Sequence, residues 1–167
     1  MFIKDKETRD FLRTIKSFMA DENDYLLPVN DSKSIDPDKV LLGYYDEQYI
    51  YLIPSVVTGM CNRMLHRDRQ KRGKDAAQQS GREVTAARIS CGYDRFDMQK
   101  ILRNLFALNI IKVHWVLSKE VRYRPQKRIG GTKHRYITLI RSEFEKFRLG
   151  GLAELLAAIR NVEGSDE

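Results

Sequence analysis

The sequence has little of what several protein classes require. Two cysteines among 167 residues cannot supply a disulfide framework, which favours a reducing compartment. Ten glycines and four prolines are too few for a collagen-like or low-complexity chain. No apolar run approaches the roughly 18 residues of a transmembrane helix, and the charged N-terminus MFIKDKETRDFL is unlike a signal peptide. We therefore expect a cytoplasmic globular protein with no membrane partner.

The motifs of catalysis and metal binding are also missing. The chain contains no G-x-x-x-x-G-K-[ST], no G-x-S-x-G, no H-E-x-x-H and no C-x-x-C. His114 and His134 would face each other across a hairpin centred near Arg124, but two ligands make a poor metal site. Cys61 falls on an apolar helical stripe and is interpreted as a core residue. We predict that the protein is not an enzyme and has no catalytic residues, cofactor or metal.

Positive charge is abundant and unevenly placed. The chain has 30 Lys and Arg against 23 Asp and Glu, a net charge of +7. Residues 1–47 hold 7 basic and 11 acidic side chains, whereas residues 60–141 hold 20 basic and 6 acidic ones. Concentrated positive charge attracts polyanions and releases counterions when they bind. A run of charge also forms a merely solvated face, so the positions of the basic residues must decide between the two interpretations.

Apolar spacing predicts a series of amphipathic helices. The first covers residues 7–20 and turns Arg9, Arg13 and Lys16 outward. The second covers residues 55–69 with Pro54 in its first turn, and the third begins at Asp94, which is expected to cap it together with Asp97. Shorter helices are predicted over residues 83–90 and 152–160. The apolar faces of the first three helices consist of Phe11, Leu12, Ile15, Phe18 and Met19; Val56, Val57, Met60, Cys61, Met64 and Leu65; and Met98, Ile101, Leu102, Leu105 and Phe106.

Strand and loop signals fill the remainder. Residues 21–38, rich in Asp, Asn, Ser and Pro, are expected to be a connecting loop, and the polar, basic insert 66–82 a mobile one. Gly43 opens a turn before a strand over residues 48–53, and residues 44–47 could themselves form the turn of a hairpin. The stretches KVHWVLSKEVRY and KHRYITLI predict one further hairpin, with the basic tip RPQKRIGGT between its strands.

This order of elements predicts an α+β fold of the winged helix-turn-helix type, with an extra N-terminal helix and a C-terminal helix. Residues 1–47 would form the N-terminal helix and an acidic loop, and residues 48–141 the basic winged-helix domain. Residues 142–167 would form the C-terminal helix and a frayed tail. Leu152, Leu155, Leu156 and Ile159 of that helix would pack on the core or pair in a homodimer.

The predicted third helix and wing carry the candidate nucleic-acid contacts. A helix whose apolar face is buried presents its polar side to the major groove. Two of the outward residues, Gln99 and Arg103, are four apart and are types that make bidentate contacts with adenine and guanine. Wing residues would contact phosphates or an adjacent minor groove. The full set is Arg95, Gln99, Lys100, Arg103 and, less centrally, Asn104 on the helix, and Arg122, Arg124, Lys127, Arg128 and Lys133 on the wing.

Three stretches carry a resemblance to a known family: GYYDEQYIYLIPSVVTGM, FDMQKILRNLFALNIIKV and KRIGGTKHRYITLI. Together they resemble the C-terminal winged-helix domain that follows the ATPase in replicative primase-helicases of phages and genomic islands. The resemblance covers about residues 15–140 and implies a DNA-binding module in the replication or regulation of a mobile element, with a helicase or another replication protein as partner. The insert 66–82 departs from the family, and the missing Walker loop means that helicase activity is not implied.

Two other functions fit the same sequence. The first is binding of RNA or single-stranded nucleic acid, with Trp115, Tyr123 and Tyr136 as stacking surfaces. The second is a protein-interaction winged helix that docks a basic partner on its acidic N-terminal part or dimerises through its last helix. Duplex DNA is the ligand that a basic helix and a basic wing together favour.

Overall fold

A computed structural model describes residues 3–20, 24–31, 35–80 and 95–147. It contains α-helices and a mixed β-sheet, so the chain belongs to the α+β class. The helices predicted over residues 83–90 and 152–160 lie outside the described residues. The residues of the second helix that would pair in a homodimer therefore lie outside them too. The elements in chain order are α1 (Lys6–Ala20), β1 (Asp24–Pro28), β2 (Val40–Tyr45), β3 (Tyr49–Leu52), α2 (Pro54–Ser80), α3 (Met98–Ala107), β4 (Ile111–Lys112), β5 (His114–Val116), β6 (Glu120–Arg122), β7 (Gln126–Ile129), β8 (Thr132–Arg135), β9 (Ile137–Ile140) and α4 (Arg141–Lys146).

The central sheet has five strands in the order β1-β2-β3-β9-β4. Strands β1 and β2 are parallel, and the other neighbours are antiparallel. One face of the sheet packs against the helices through residues such as Leu52 and Leu139, both fully buried. The same core takes in Phe11 of α1 and Phe147 just after α4, so a single core spans both predicted domain boundaries, at residues 47 and 141.

The apolar faces predicted for the first three helices are confirmed. Their central residues are buried, and those at the edges, such as Met19 and Phe106, are partly buried against the same core. Lys16 differs from the expectation of an outward side chain. Its Nζ donates to the backbone oxygen of Phe147 and lies 5.2 Å from the centre of the Phe144 ring. The aliphatic part of a lysine packs on apolar surface easily, which helps to join α1 to α4.

Helix α2 is longer than its apolar stripe. The helix predicted over residues 55–69 continues to Ser80, so the loop predicted beyond it is wrong over residues 70–80. Arg, Lys, Gln and Ala in this segment are good helix formers, and Gly73 is its one weak position. The prediction failed because periodic apolar residues end near Leu65, and a helical segment of mostly polar sequence has no apolar period to detect.

The N-terminal strands of the sheet also differ from the prediction. Strand β1 lies inside the segment predicted as a loop, and the parallel partner β2 supplies its hydrogen bonds. Gly43 is not in a turn but inside β2, opposite Leu52 of β3. A β-carbon on Gly43 would lie 1.9 Å from the Tyr51 carbonyl oxygen. The glycine is therefore needed for the close approach of two backbones, one of the few uses of glycine within a strand.

The predicted final hairpin is two hairpins. β5 pairs with β6, then β7 pairs with β8, and both lie between the sheet strands β4 and β9. Gly130 and Gly131 turn the second hairpin with φ of 59° and 82°, as a Gly-Gly turn allows. The predicted pairing of His114 with His134 is wrong, because His114 is opposite Arg122 and His134 is opposite Lys127.

The outer face of the sheet carries a second, smaller cluster. Tyr51, Ile129 and Tyr136 are buried there, and β7 contributes the isoleucine. The Tyr51 hydroxyl donates to Asp46 Oδ2 at 2.7 Å, while Asp46 Oδ1 accepts the N–H groups of Gln48 and Tyr49. Burial raises the pKa of Asp46, but these hydrogen bonds outweigh it and hold that pKa below its ordinary value. Asp46 therefore fixes the β2–β3 turn in its ionised form.

Gly43→Ala is expected to lower the free energy of unfolding by about 1–3 kcal/mol or more, because β2 and β3 must separate to admit a methyl group. Gly59→Ala in α2 is the matched control, since its β-carbon meets only Arg63 Nη1 at 3.5 Å. The control should raise stability by about 0.4–1 kcal/mol through helix propensity. Urea unfolding of both variants measures this, and equal stability of the two would contradict the packing at Gly43.

Asp46→Asn is expected to lower stability at neutral pH but not in acid. A carboxyl whose folded pKa is below its unfolded value of about 3.9 stabilises the protein above that pH, and this stability is lost as the pH falls through the folded pKa. The difference in urea midpoint between wild type and variant should therefore shrink below about pH 4. Glu47→Gln, an exposed neighbour, is the control. A pH-independent difference would mean that the charge of Asp46 is irrelevant.

Candidate nucleic-acid interface

Helix α3 is delimited by specific caps at both ends. Asp97 Oδ1 accepts the N–H of Lys100 at 3.2 Å, so Asp97 is the N-cap. Asp94, the other predicted cap, lies outside the described residues. At the C-terminus, Asn109 adopts a φ of 57°, and the N–H of Ile110 donates to the carbonyl of Leu105 at 2.9 Å. This is a Schellman ending with asparagine in the left-handed position.

One side of α3 is tied to the start of α1. Glu7, which is buried, accepts the Asp97 N–H at 2.6 Å with one carboxylate oxygen and Lys100 Nζ at 3.1 Å with the other. Asp5 lies 3.1 Å from the same Nζ. These hydrogen bonds raise the pKa of Lys100. Nothing in the sequence pattern distinguished Glu7 from a surface residue in the first turn of a helix.

Thr8 connects Asp5 to α3 through two further hydrogen bonds. Asn104 Nδ2 donates to Thr8 Oγ1 at 3.0 Å, and Thr8 Oγ1 donates to Asp5 Oδ2. Burial raises the pKa of Asp5, but its hydrogen bonds with Thr8 and Lys100 more than offset this and leave that pKa below its ordinary value. Two predicted nucleic-acid contacts, Lys100 and Asn104, are thus placed against α1.

The other predicted residues on α3 and just before it are exposed to solvent. Arg95, Gln99 and Arg103 are exposed, and Arg103 Nε lies 3.4 Å from the carbonyl of Gln99. A cleft of about 480 Å³ opens beside this face. Arg124, from the segment between the two hairpins, lines the cleft together with Arg95 and Gln99. Its remaining walls are formed by Pro54, Ser55, Thr58, Gly59 and Asn62 of α2 and by Met98, Leu102 and Ile137.

The predicted wing residues are distributed over both hairpins. Arg122 ends β6, Arg124 lies in the connection, and Lys127, Arg128 and Lys133 belong to the β7–β8 hairpin. Residue alternation puts Lys127 on the face that covers the tyrosines, where its Nζ lies 5.3 Å from the centre of the Tyr51 ring. Arg128 and Lys133 lie on the other face.

Charge on that outer face of the β7–β8 hairpin is not balanced locally. Arg128 is directly opposite Lys133, with Arg135 next along the same face and opposite Gln126. Residues 126–135 contain no acidic residue. Like charges at directly opposite positions destabilise an antiparallel pair. An anionic ligand would relieve this repulsion.

Aromatic residues attach the first hairpin to α3. Phe106 forms edge-to-face contacts with Trp115 and with Tyr123, at centroid distances of 6.2 and 6.0 Å. Trp115 is nevertheless 53% exposed. The two roles considered for this residue, packing on the third helix and a surface for base stacking, are therefore compatible.

The rest of the described chain offers little reactive chemistry. Cys61 is buried as predicted, and burial raises the pKa of its thiol to about 12, so no thiolate is present near neutral pH. Across residues 3–20, 24–31, 35–80 and 95–147, no group of three metal-ligating side chains converges. No helix in that part of the chain combines the length and apolarity needed to cross a membrane.

Comparison with protein-family models, with curated proteins and with solved structures finds no match to this chain.

Glu7→Gln is expected to destabilise the protein by about 1.5–3 kcal/mol, because it removes the charge from a buried acceptor of two hydrogen bonds. Glu143→Gln is the control, since Glu143 forms a surface i,i+3 pair with Lys146 and should cost less than about 1 kcal/mol. Urea unfolding measures both. Similar small losses in the two variants would show that Glu7 does not fix α3 against α1.

Proposed function

We propose that this protein binds duplex DNA as a winged helix, with α3 as the recognition helix and the β7–β8 hairpin as the wing. The topology supports this interpretation. Strand β3 lies between α1 and α2, α3 is followed by β4, and β9 inserts between β3 and β4 in the sheet. A three-helix core with such a small sheet leaves one polar helix face and one hairpin free for DNA.

The observation that carries the proposal is the shared cleft. Arg95, just before α3, and Gln99 of α3 line it together with Arg124, which precedes the wing. Arg124 is 29 and 25 positions from Arg95 and Gln99 in the sequence, yet the three meet at one surface. All three have donors suited to phosphates or base edges. No acidic side chain is among the residues that line this cleft.

The contacts of α3 with α1 assign the roles further. Lys100 and Asn104 hold the helix, while Gln99 and Arg103 remain exposed one turn apart. A residue pair at this spacing reaches neighbouring base edges when the helix lies in a major groove about 12 Å wide. Arg128, Lys133 and Arg135 on the wing would neutralise phosphates without reading sequence.

Binding of single-stranded DNA or RNA is the second candidate function. The observation that favours it is the half-exposed Trp115 beside a basic surface, because bases stack on exposed aromatic rings. A role in the replication or regulation of a mobile element, with a helicase as partner, rests on the family resemblance. A winged helix that binds only protein would need an acidic partner to neutralise the unbalanced charge on the wing.

Fluorescence anisotropy with mixed-sequence duplex and single-stranded DNA at two salt concentrations tests the proposal. We expect duplex affinity that exceeds single-strand affinity and falls steeply with added salt, since each neutralised phosphate contributes about −0.9 to the slope of log K against log salt. Preference for single strands would favour the second candidate. Absence of binding at low salt would overturn both and leave a protein partner.

Arg103→Ala and Arg128→Ala are expected to act differently. The first should cost about 1–3 kcal/mol on a preferred sequence and relax the preference, whereas the second should weaken all sequences alike and reduce the salt slope by about 1. Lys146→Ala is the control, because it removes the same charge from a lysine that is bound to Glu143 at 2.8 Å. Equal losses for all three variants would mean that only net charge matters.

A further inference from the structure

The tip of the β5–β6 hairpin has an exposed leucine where a polar turn residue is usual. Leu117 is 87% exposed, the most exposed large apolar side chain among the described residues. It has a φ of 51°, and Ser118 follows with 57°. The N–H of Lys119 donates to the carbonyl of Val116 at 3.0 Å, which closes a tight turn. Asn, Asp and Gly are the residues that accept these φ values at low cost.

Leucine at this position opposes both solubility and turn formation. A bulky side chain with positive φ is an outlier, and such outliers cluster at functional positions. Burial does not explain Leu117, because its side chain projects into solvent. No packing within the described residues accounts for a leucine in this strained turn.

The hairpin that presents Leu117 is firmly attached to α3. Trp115 and Tyr123 both pack on Phe106 of α3, and Trp115 is paired with Val121 across the hairpin. The two-residue step from Trp115 to Leu117 extends about 7 Å along the strand. Leu117 thus lies a short, fixed distance beyond the contacts of Trp115 and Tyr123 with Phe106. Phe106 belongs to the helix that we propose enters the major groove.

The sequence around Leu117 is basic. Residues 112–124 contain Lys112, Lys119, Arg122 and Arg124 against a single acidic residue, Glu120. An apolar tip on a basic segment suits a polyanion with an apolar interior, and stacked base pairs have that character. Proteins that bend DNA insert Leu, Phe, Ile or Met between base steps in this way, and phosphate contacts nearby keep the duplex in place.

We infer that Leu117 is a wedge that inserts between adjacent base pairs of the bound duplex and kinks it. This inference rests on the proposed function and adds a distortion of the DNA to it. The β7–β8 hairpin supplies phosphate contacts, and the β5–β6 hairpin supplies the apolar tip. The two hairpins between β4 and β9 then have different tasks on the same duplex.

The test measures bending of a duplex labelled at both ends for resonance energy transfer, together with the fluorescence of an internal 2-aminopurine that reports unstacking. Wild type at saturating concentration should kink the duplex by about 20–90°. Leu117→Asn should lose the kink and the unstacking, and Leu117→Met should retain both. Asparagine accepts positive φ more readily than leucine, so the Asn variant keeps the turn.

Anisotropy on the same duplex separates the two proposals. Because Leu117 neutralises no phosphate, Leu117→Asn should leave the salt slope of binding unchanged. Ile35→Asn, which removes another exposed apolar side chain at the opposite edge of the sheet, is the control and should bend DNA as wild type does. Binding without a kink, an Asn variant that bends normally or a control that loses bending would overturn the wedge alone. Absence of duplex binding would overturn both the wedge and the proposed function.

Discussion

The Glu7 carboxylate lies between the first turns of α1 and α3, with the Asp97 N–H on one oxygen and Lys100 Nζ on the other. A buried charge is tolerated only while it is paired and hydrogen-bonded. Rotation or sliding of α3 against α1 would leave this charge without its partners. This contact therefore holds α3 in the orientation in which its apolar side is buried in the core and Gln99 and Arg103 are exposed. The exposed polar side of one helix is thus set by an acid on another.

Much of the helical structure could be predicted, because an amphipathic helix is encoded locally in its apolar period. The strands were harder. β1 occupies a segment rich in Asp and Pro and exists because β2 lies beside it, which no local pattern reveals. The division of the final hairpin was missed for a similar reason. The turn at Leu117 and Ser118 begins with a leucine, which does not signal a turn, whereas the Gly130–Gly131 turn was evident.

The residue types of the candidate interface could be predicted, but the intramolecular partners of each side chain could not. Composition identified a basic helix and a basic wing, and the cleft brings Arg95, Gln99 and Arg124 to one surface. Sequence could not separate Arg103, which is exposed, from Lys100, which binds two carboxylates more than 90 positions away. Both are cations on the polar half of one helix. Only the packing of α1 decides which of them remains available to a ligand.

Charge on the β7–β8 hairpin would have opposite consequences before and after the proposed binding of DNA. In the free protein, Arg128 and Lys133 repel each other across the β7–β8 hairpin, and added salt screens that repulsion and favours the hairpin. In the DNA complex that we propose, the same cations would neutralise phosphates, and added salt would weaken the complex. A ligand that binds only the ordered wing also stabilises it. The hairpin is therefore held least firmly at low salt without DNA, the condition under which it attracts a polyanion most strongly.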